Sequence, residues 1–362
     1  PLPEECKGKV ADAAERVKHL FGRLKKDDDF GSESEISQIS NDFAKCGEDF
    51  EDVMNSICEQ GAGLISQREK CAYYLLMEAA LCYYWAGRVL VAISDTSSRM
   101  MTAEEASSYY SKSISLYNRV SSEIQRSKDA ILAYRMATVL SAQGHEDIAL
   151  EKFREAVGYL QKYEQENLTE NHFLRIRIPR QLGIAIWEEA ERFRLKGEAI
   201  GATDFLVSRR RNLYLEAIEV THPLLDNDIG LDPDSIELEP EGLNREMLMT
   251  ANNVLDYSLC YLRSGGSIST LEKHGLGLSK LKRFVDALEG PEGIESVRVP
   301  VWADTLRAAK MELLDDIEGA CVAARRVQEM LTKNREKWVI EYDERIVDEM
   351  LEDAKKTLDK AH

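Results

Sequence analysis

Apolar residues recur every three or four positions through most of this chain, with polar residues between them. Such spacing places apolar side chains along one face of an α-helix, which turns once in 3.6 residues. Runs in which apolar and polar residues alternate, as in a half-buried strand, are few, and there are only eight prolines. The pattern predicts an all-α protein with helices over residues 8–28, 36–60, 67–90, 103–125, 127–143, 146–165, 170–198, 203–222, 244–264, 268–289, 300–333 and 336–360.

Small residues mark the points at which consecutive helices should approach most closely. The clearest example is Ala133-x₂-Met136-Ala137-x₂-Leu140-x₃-Gly144-x₄-Ala149-x₃-Phe153-x₂-Ala156. Two helices pack this closely only where side chains are small, and the glycine between them predicts the turn. The segment therefore predicts a helical hairpin that buries its apolar face by stacking on similar hairpins.

This pattern resembles the tetratricopeptide repeat (TPR), a helical-repeat family. The resemblance is good for residues 133–156, fair for 76–113 and weak for 179–217 and 254–284. Within 179–217, Arg210 stands where a small residue is expected. The equivalent small positions are Ala80, Ala137, Gly183 and Ser258, separated by 57, 46 and 75 residues. The family's period is about 34 residues, so these repeats are irregular.

The resemblance implies an α-solenoid of stacked antiparallel helical hairpins, with non-repeat helices at both ends. A generic helical bundle or another α-solenoid gives the same small-residue spacing and stays open. The predicted domains are 1–66, N-terminal helices that pack on the array; 67–222, TPR-like hairpins; 223–243, an acidic loop; and 244–362, further hairpins and a C-terminal capping helix. The apolar stripe of that last helix, from Trp338 to Leu358, is an alternative seam for self-association.

Charge and cysteine usage narrow the classes of partner and compartment. Acidic residues outnumber basic ones 65 to 47, giving a net charge of −18, which disfavours nucleic acid and an anionic membrane surface. No apolar run approaches the roughly 18 residues that span a bilayer, and we see no secretory signal. Seven scattered cysteines without a C-x-x-C pair are typical of reduced thiols. We therefore expect an intracellular, cytoplasmic protein, with a nuclear location also open.

No motif for catalysis, metal binding or a cofactor is present. The six histidines lack metal-ligand spacing, and there is no nucleotide-binding glycine loop or nucleophile elbow. Residues 226–237 place oxygen ligands at alternate positions as a calcium loop does, but the glycine lies one position early, at Gly230. We predict a solvated acidic loop there, a non-catalytic chain and no cofactor.

The candidate binding residues follow from the TPR resemblance, since the first helix of each hairpin lines the concave side in that family. Arg177 and Arg180 lie three apart and share a helix face. Aromatic and arginine side chains are frequent energetic anchors of peptide binding. The predicted groove residues are Tyr84, Trp85, Tyr134, Arg177, Arg180 and Trp187. The opposing interpretation pairs the arginines with neighbouring acidic helices and places both tryptophans in the core.

The sequence thus favours a non-catalytic protein-interaction scaffold or adaptor that binds a peptide or helix of another protein. Two alternatives stay open. The chain could be the regulatory repeat module of a larger enzyme, or it could sense a small anionic or phosphorylated ligand through the Arg177 and Arg180 cluster.

Overall fold

A computed structural model describes residues 4–26, 33–59, 65–91, 99–123, 129–162, 172–225, 241–277, 317–333 and 344–359, together with 281 and 335. All regular secondary structure within these ranges is helical. The helices are α1 Glu4–Lys26, α2 Glu33–Glu59, α3 Ile65–Val91, α4 Arg99–Glu123, α5 Ala130–Ala142, α6 Glu146–Lys162, α7 His172–Ile200, α8 Asp204–Thr221, α9 Glu241–Arg263, α10 Ile268–Lys273, α11 Ile317–Lys333 and α12 Glu344–Asp359, with a 3₁₀ turn at His222–Leu225.

One predicted helix is much shorter than expected. The sequence predicts a helix over 268–289, whereas α10 ends at Lys273. Gly275 adopts a φ of +79° there, and the Leu276 N–H donates to the Leu271 carbonyl at 2.8 Å. This left-handed glycine closes the helix, a common way for helices to end. The predicted acidic loop at 226–237, Trp338 and most of 278–316 lie outside the described residues.

The chain divides into two compact units, residues 1–156 with 334–347 and residues 157–333 with 348–362. In the first unit α2, α3 and α4 pack side by side in antiparallel order. Ser40, early in α2, donates its hydroxyl to the Ala86 carbonyl, late in α3, at 2.9 Å. Ser113 in α4 likewise donates to the Ala80 carbonyl at 2.7 Å. Both serines are fully buried, so each helix contact contains a buried polar side chain whose hydrogen bond is satisfied across the interface.

Glycines permit the closest contacts between these helices. A Cβ placed on Gly87 in α3 would lie 2.7 Å from the Tyr110 ring and 3.0 Å from the Ala106 carbonyl oxygen. A Cβ on Gly47 in α2 would meet the Tyr83 ring at 3.0 Å. Distances this short leave no room for a side chain. The positions are occupied by glycine because backbone and ring already fill the space.

The α5–α6 hairpin is the segment with the strongest repeat pattern. Asp129 caps α5, since its Oδ1 accepts hydrogen bonds from the N–H groups of Ile131 and Leu132 at 2.9 and 3.0 Å. The Tyr73 hydroxyl donates to the other carboxylate oxygen of Asp129 at 2.9 Å, which connects this cap to α3. Gly144 forms the turn with a φ of +78°. The predicted hairpin is therefore present.

The second unit repeats the antiparallel arrangement with α7, α8 and α9. Gly183, in the first half of α7, faces Thr221 at the end of α8, and Gly197 near the end of α7 faces Leu206 at the start of α8. Arg211 of α8 donates two hydrogen bonds to the Ser264 carbonyl that follows α9, at 3.0 and 2.8 Å.

These contacts confirm the predicted fold class, an all-α chain whose consecutive helices pair as antiparallel hairpins, as in an α-solenoid. The small positions that the sequence singled out are buried: Ala80, Ala137 and Ser258 are 0% exposed, and Gly183 is also buried. The domain boundaries at 66, 222 and 243 stay predictions. Among the described helices, none combines the length and apolarity needed to cross a bilayer.

A matched pair of glycine substitutions tests the close contact between α3 and α4. We expect Gly87→Ala to lower the free energy of unfolding by about 1–3 kcal/mol, because the new methyl overlaps the Tyr110 ring and approaches backbone. Gly158→Ala in α6 has no atom within 4 Å of the added Cβ and should stabilise by roughly 0.5–1 kcal/mol through helix propensity. Urea denaturation followed by circular dichroism measures both. An equal gain for the two variants would contradict the contact.

Candidate functional site

Three of the predicted groove residues lie in the first unit, where their rings pack against other aromatic rings. The Trp85 ring is 5.2 Å from Phe21 and 6.4 Å from Phe43, measured between centroids. Tyr84 lies 6.0 Å from Tyr110, and Tyr134 lies 6.2 Å from Phe153. All three predicted residues are half-buried. Their role in partner binding stays a prediction, and part of each ring is already used for packing.

The other three, Arg177, Arg180 and Trp187, lie on α7 in the second unit. Arg180 is only 2% exposed, whereas Arg177 and Trp187 are half-buried. The surface role predicted for Arg180 does not fit this placement, because almost none of its side chain reaches the surface. Burial raises the pKa of Tyr257 on α9, and the positive charge of Arg180 opposes that rise. Arg180 is therefore part of the interior between α7 and α9.

Several polar groups are buried in this same unit. Asn252, Asn253 and Tyr257 of α9 are 3%, 5% and 2% exposed. The Tyr257 hydroxyl, the Asn253 side-chain nitrogen and the Trp187 Nε1 have no hydrogen-bond partner among the described residues. A buried hydroxyl without a partner destabilises the folded state.

Tyr257→Phe distinguishes a dry Tyr257 hydroxyl from one that is bound to a water molecule or a ligand. If the hydroxyl is dry, removing it relieves a desolvated group, and we expect the free energy of unfolding to stay within about 0.5 kcal/mol or to rise. A loss of about 1 kcal/mol or more in thermal or urea denaturation would show that the hydroxyl is satisfied by a bound molecule.

Three exposed apolar side chains of the second unit lie at the end of the α7–α8 hairpin. Leu195 is 46% exposed, Ile200 68% and Phe205 70%. They account for half of the large apolar residues that are exposed in the described part of the chain, and they fall within eleven positions. We call Leu195, Ile200 and Phe205 the hairpin-end surface.

The local sequence explains why the chain turns at this point. Gly201 adopts a φ of +90°, a conformation that side chains disfavour. Thr203 then caps α8, with its hydroxyl oxygen accepting from the Leu206 N–H at 3.3 Å. Leu206 is buried. The core therefore begins one residue after Phe205, and the apolar residues before it point away from that core.

A small pocket lies in the same hairpin end. Its volume is about 100 Å³. Gly197 and Ala202 leave the space open because they have almost no side chain. The remaining lining residues combine apolar and charged groups: Phe193, Arg194, Glu198, Leu206, Val207 and Arg210.

One of the two pocket arginines is held by carboxylates. Glu191, itself 6% exposed, accepts hydrogen bonds from the Tyr214 hydroxyl and from Arg194. Arg194 also donates to Glu198 at 2.8 Å. Burial lowers the pKa of Arg194, but the charges and hydrogen bonds of Glu191 and Glu198 outweigh it and raise the pKa overall. Arg194 is thus a fixed, ion-paired wall of the pocket.

The second pocket arginine, Arg210, differs in its hydrogen bonding. Its Nε is buried and has no hydrogen-bond partner among the described residues. Its charge acts on the nearby Tyr214, opposing the rise in the pKa of that hydroxyl which burial causes. Arg210 therefore lines the pocket and has one guanidinium N–H that donates to no group among the described residues.

Comparisons with known proteins add little to this description. No protein-family model matches the chain, and no curated protein matches it. One similar solved chain is described as a "Circular tandem repeat protein with novel repeat topology and enhanced subunit contact surfaces". It is 16% identical, the match covers 98% of this chain and 72% of that chain, and the TM-score is 0.32. At that TM-score the likeness carries no argument, so the fold rests on the contacts described above.

The sequence pattern does not predict the hairpin-end surface, although it contains one signal. Arg210 stands where the repeat pattern expects a small residue, and it is one of the residues that line the pocket. Ile200 and Phe205 fall at helix ends, where periodicity carries little information. Among the residues described, no three histidine, cysteine or carboxylate side chains are grouped so that they could hold a metal ion.

The Tyr214–Glu191 hydrogen bond should contribute to stability, and Tyr109 provides a matched control. Tyr214→Phe leaves a buried carboxylate with one donor fewer, and we expect a loss of about 1.5–3 kcal/mol in the free energy of unfolding. Tyr109 donates to Glu105 at 3.3 Å on an exposed helix face, so Tyr109→Phe should lose less than about 0.5 kcal/mol. Similar losses in urea denaturation would contradict the buried network.

Proposed function

We propose that the protein is a non-catalytic interaction scaffold that binds another protein through the hairpin-end surface. The observation that carries this proposal is the concentration of exposed Leu195, Ile200 and Phe205 around a short, capped turn. Exposed apolar side chains are common singly, but a group of them beside a pocket is typical of a protein-binding site. Covering Ile200 and Phe205 would each contribute roughly 1.5–3 kcal/mol.

The repeat pattern supports the same function. We include in the proposal that the hairpins are TPR-like, on the pattern of residues 133–156, and that the chain is an intracellular adaptor. The predicted groove positions Tyr84, Trp85 and Tyr134 remain part of it as a second contact region. The partner would contribute a peptide or a helix, since a hairpin end offers a narrow contact and not a broad face.

Paired surface variants test this proposal. Ile200→Ser/Phe205→Ser removes the two most exposed apolar side chains of the hairpin-end surface. Tyr74→Ser/Ile148→Ser removes two others, which are 64% and 55% exposed and lie in the first unit. Each pair should leave the melting temperature nearly unchanged, because surface substitutions usually shift stability by less than about 0.5 kcal/mol each.

Affinity capture with the full chain is the measurement. We expect a discrete partner protein to be retained by the unmodified chain and by Tyr74→Ser/Ile148→Ser, and to be lost with Ile200→Ser/Phe205→Ser. If all three proteins retained the partner, binding would lie outside the hairpin-end surface. If no discrete partner were captured, the proposed scaffold function would be overturned.

A further inference from the structure

The charge of the hairpin end is opposite to that of the chain as a whole. Residues 192–211 contain six basic and two acidic side chains, a net charge of +4, whereas the rest of the chain carries −22. Glu189 and Glu191, just before this range, pair with Arg192 and Arg194 and reduce the local net charge to +2. A local positive region on a strongly negative protein attracts an acidic group more than a neutral surface does. The region coincides with the hairpin-end surface and its pocket.

The basic side chains of this region differ in how they are engaged. Arg192 is paired with Glu189, Arg194 with Glu191 and Glu198, and Arg211 is directed at the Ser264 carbonyl. Lys196 and Arg209 are exposed. Arg210 alone among the six both lines the pocket and has a buried nitrogen without an acceptor. The arginine that has an unsatisfied N–H is therefore one of the residues that line the pocket.

A carboxylate satisfies this requirement better than a neutral acceptor. Guanidinium and carboxylate groups form paired, charge-assisted hydrogen bonds that are roughly twice as strong as neutral ones. The Arg210 Nε is already buried without an acceptor in the free chain, so a partner that supplies an acceptor gains a hydrogen bond and removes an existing desolvation cost. A ligand that lacks an acceptor gains neither and should therefore bind more weakly.

We infer that the hairpin end recognises an acidic, apolar segment of a partner protein, with a carboxylate seated against Arg210 and apolar side chains against Ile200 and Phe205. This inference rests on the proposed scaffold function and specifies its partner. A nucleic acid would supply anionic groups as well, but it would not cover the apolar side chains. Its negatively charged backbone would also be repelled by the rest of the chain, which has a net charge of −22.

Selection from a random-peptide display library against the full chain tests the partner's chemistry. We expect the enriched peptides to combine aspartate or glutamate with apolar residues and to lose binding to Ile200→Ser/Phe205→Ser. Peptides that depend on Ile200 and Phe205 but show no acidic excess would overturn this inference alone. Failure to enrich any peptide that depends on these two residues would overturn it together with the proposed function.

Two variants that each remove one arginine charge distinguish a direct contact in the pocket from the general electrostatic attraction of the region. Fluorescence anisotropy with a selected peptide should show that Arg210→Gln weakens binding by about tenfold or more, the loss expected for a charge-assisted pair. Arg192→Gln removes the same charge outside the pocket and should weaken binding by less than about threefold. Equal losses would overturn the Arg210 contact.

A double-mutant cycle and a competitor complete the test. Replacing the peptide's acidic residue with its amide should weaken binding to the unmodified chain about as much as Arg210→Gln does, and should have little further effect on Arg210→Gln itself. Additive losses would show that the two groups do not meet. Displacement of the peptide by duplex DNA, with direct DNA binding of similar affinity, would assign the region to nucleic acid instead.

Discussion

The structure depends on the close approach of neighbouring helix backbones at positions that hold glycine or alanine. Gly47, Gly87 and Gly183 each face a ring, a carbonyl or a side chain of the next helix at distances that leave no space for a methyl group. This constraint fixes the order and spacing of the hairpins within each unit. It also brings backbone carbonyls within reach of buried serines, so that Ser40 and Ser113 satisfy them across the interface.

Close helices also place buried tyrosines beside carboxylates, and the same solution occurs in both units. In the first, Tyr83 donates to Glu51, which also pairs with Lys112. In the second, Tyr214 donates to Glu191, which also pairs with Arg194. Burial raises the pKa of both tyrosines, so each hydroxyl keeps its proton and remains a donor. In the second unit this network pairs Arg194 with Glu191, whereas the Arg210 Nε has no acceptor among the described residues.

Most of the fold could be predicted because helix periodicity and small-residue contacts are local properties of the sequence. Ala137 and Ser258 were recognised from their offsets and are fully buried. The predicted end of α10 was wrong, because the apolar pattern continues past Gly275, whose left-handed backbone closes the helix in the structure. The binding residues were harder to predict, because the exposure of a side chain depends on helices that are distant in the sequence. The offset that places Arg180 beside Arg177 cannot show that Arg180 is buried in the folded chain. Periodicity also ignores helix ends, where Ile200 and Phe205 lie.

The short turn at Gly201 and Thr203 shows that different residues fix the backbone and form the exposed surface. The backbone there is held by a glycine conformation and a capping hydroxyl, and the core resumes at Leu206. Side chains at 195, 200 and 205 contribute to neither. Substitution of those three residues should therefore change the surface that a partner meets while the hairpin beneath them stays the same.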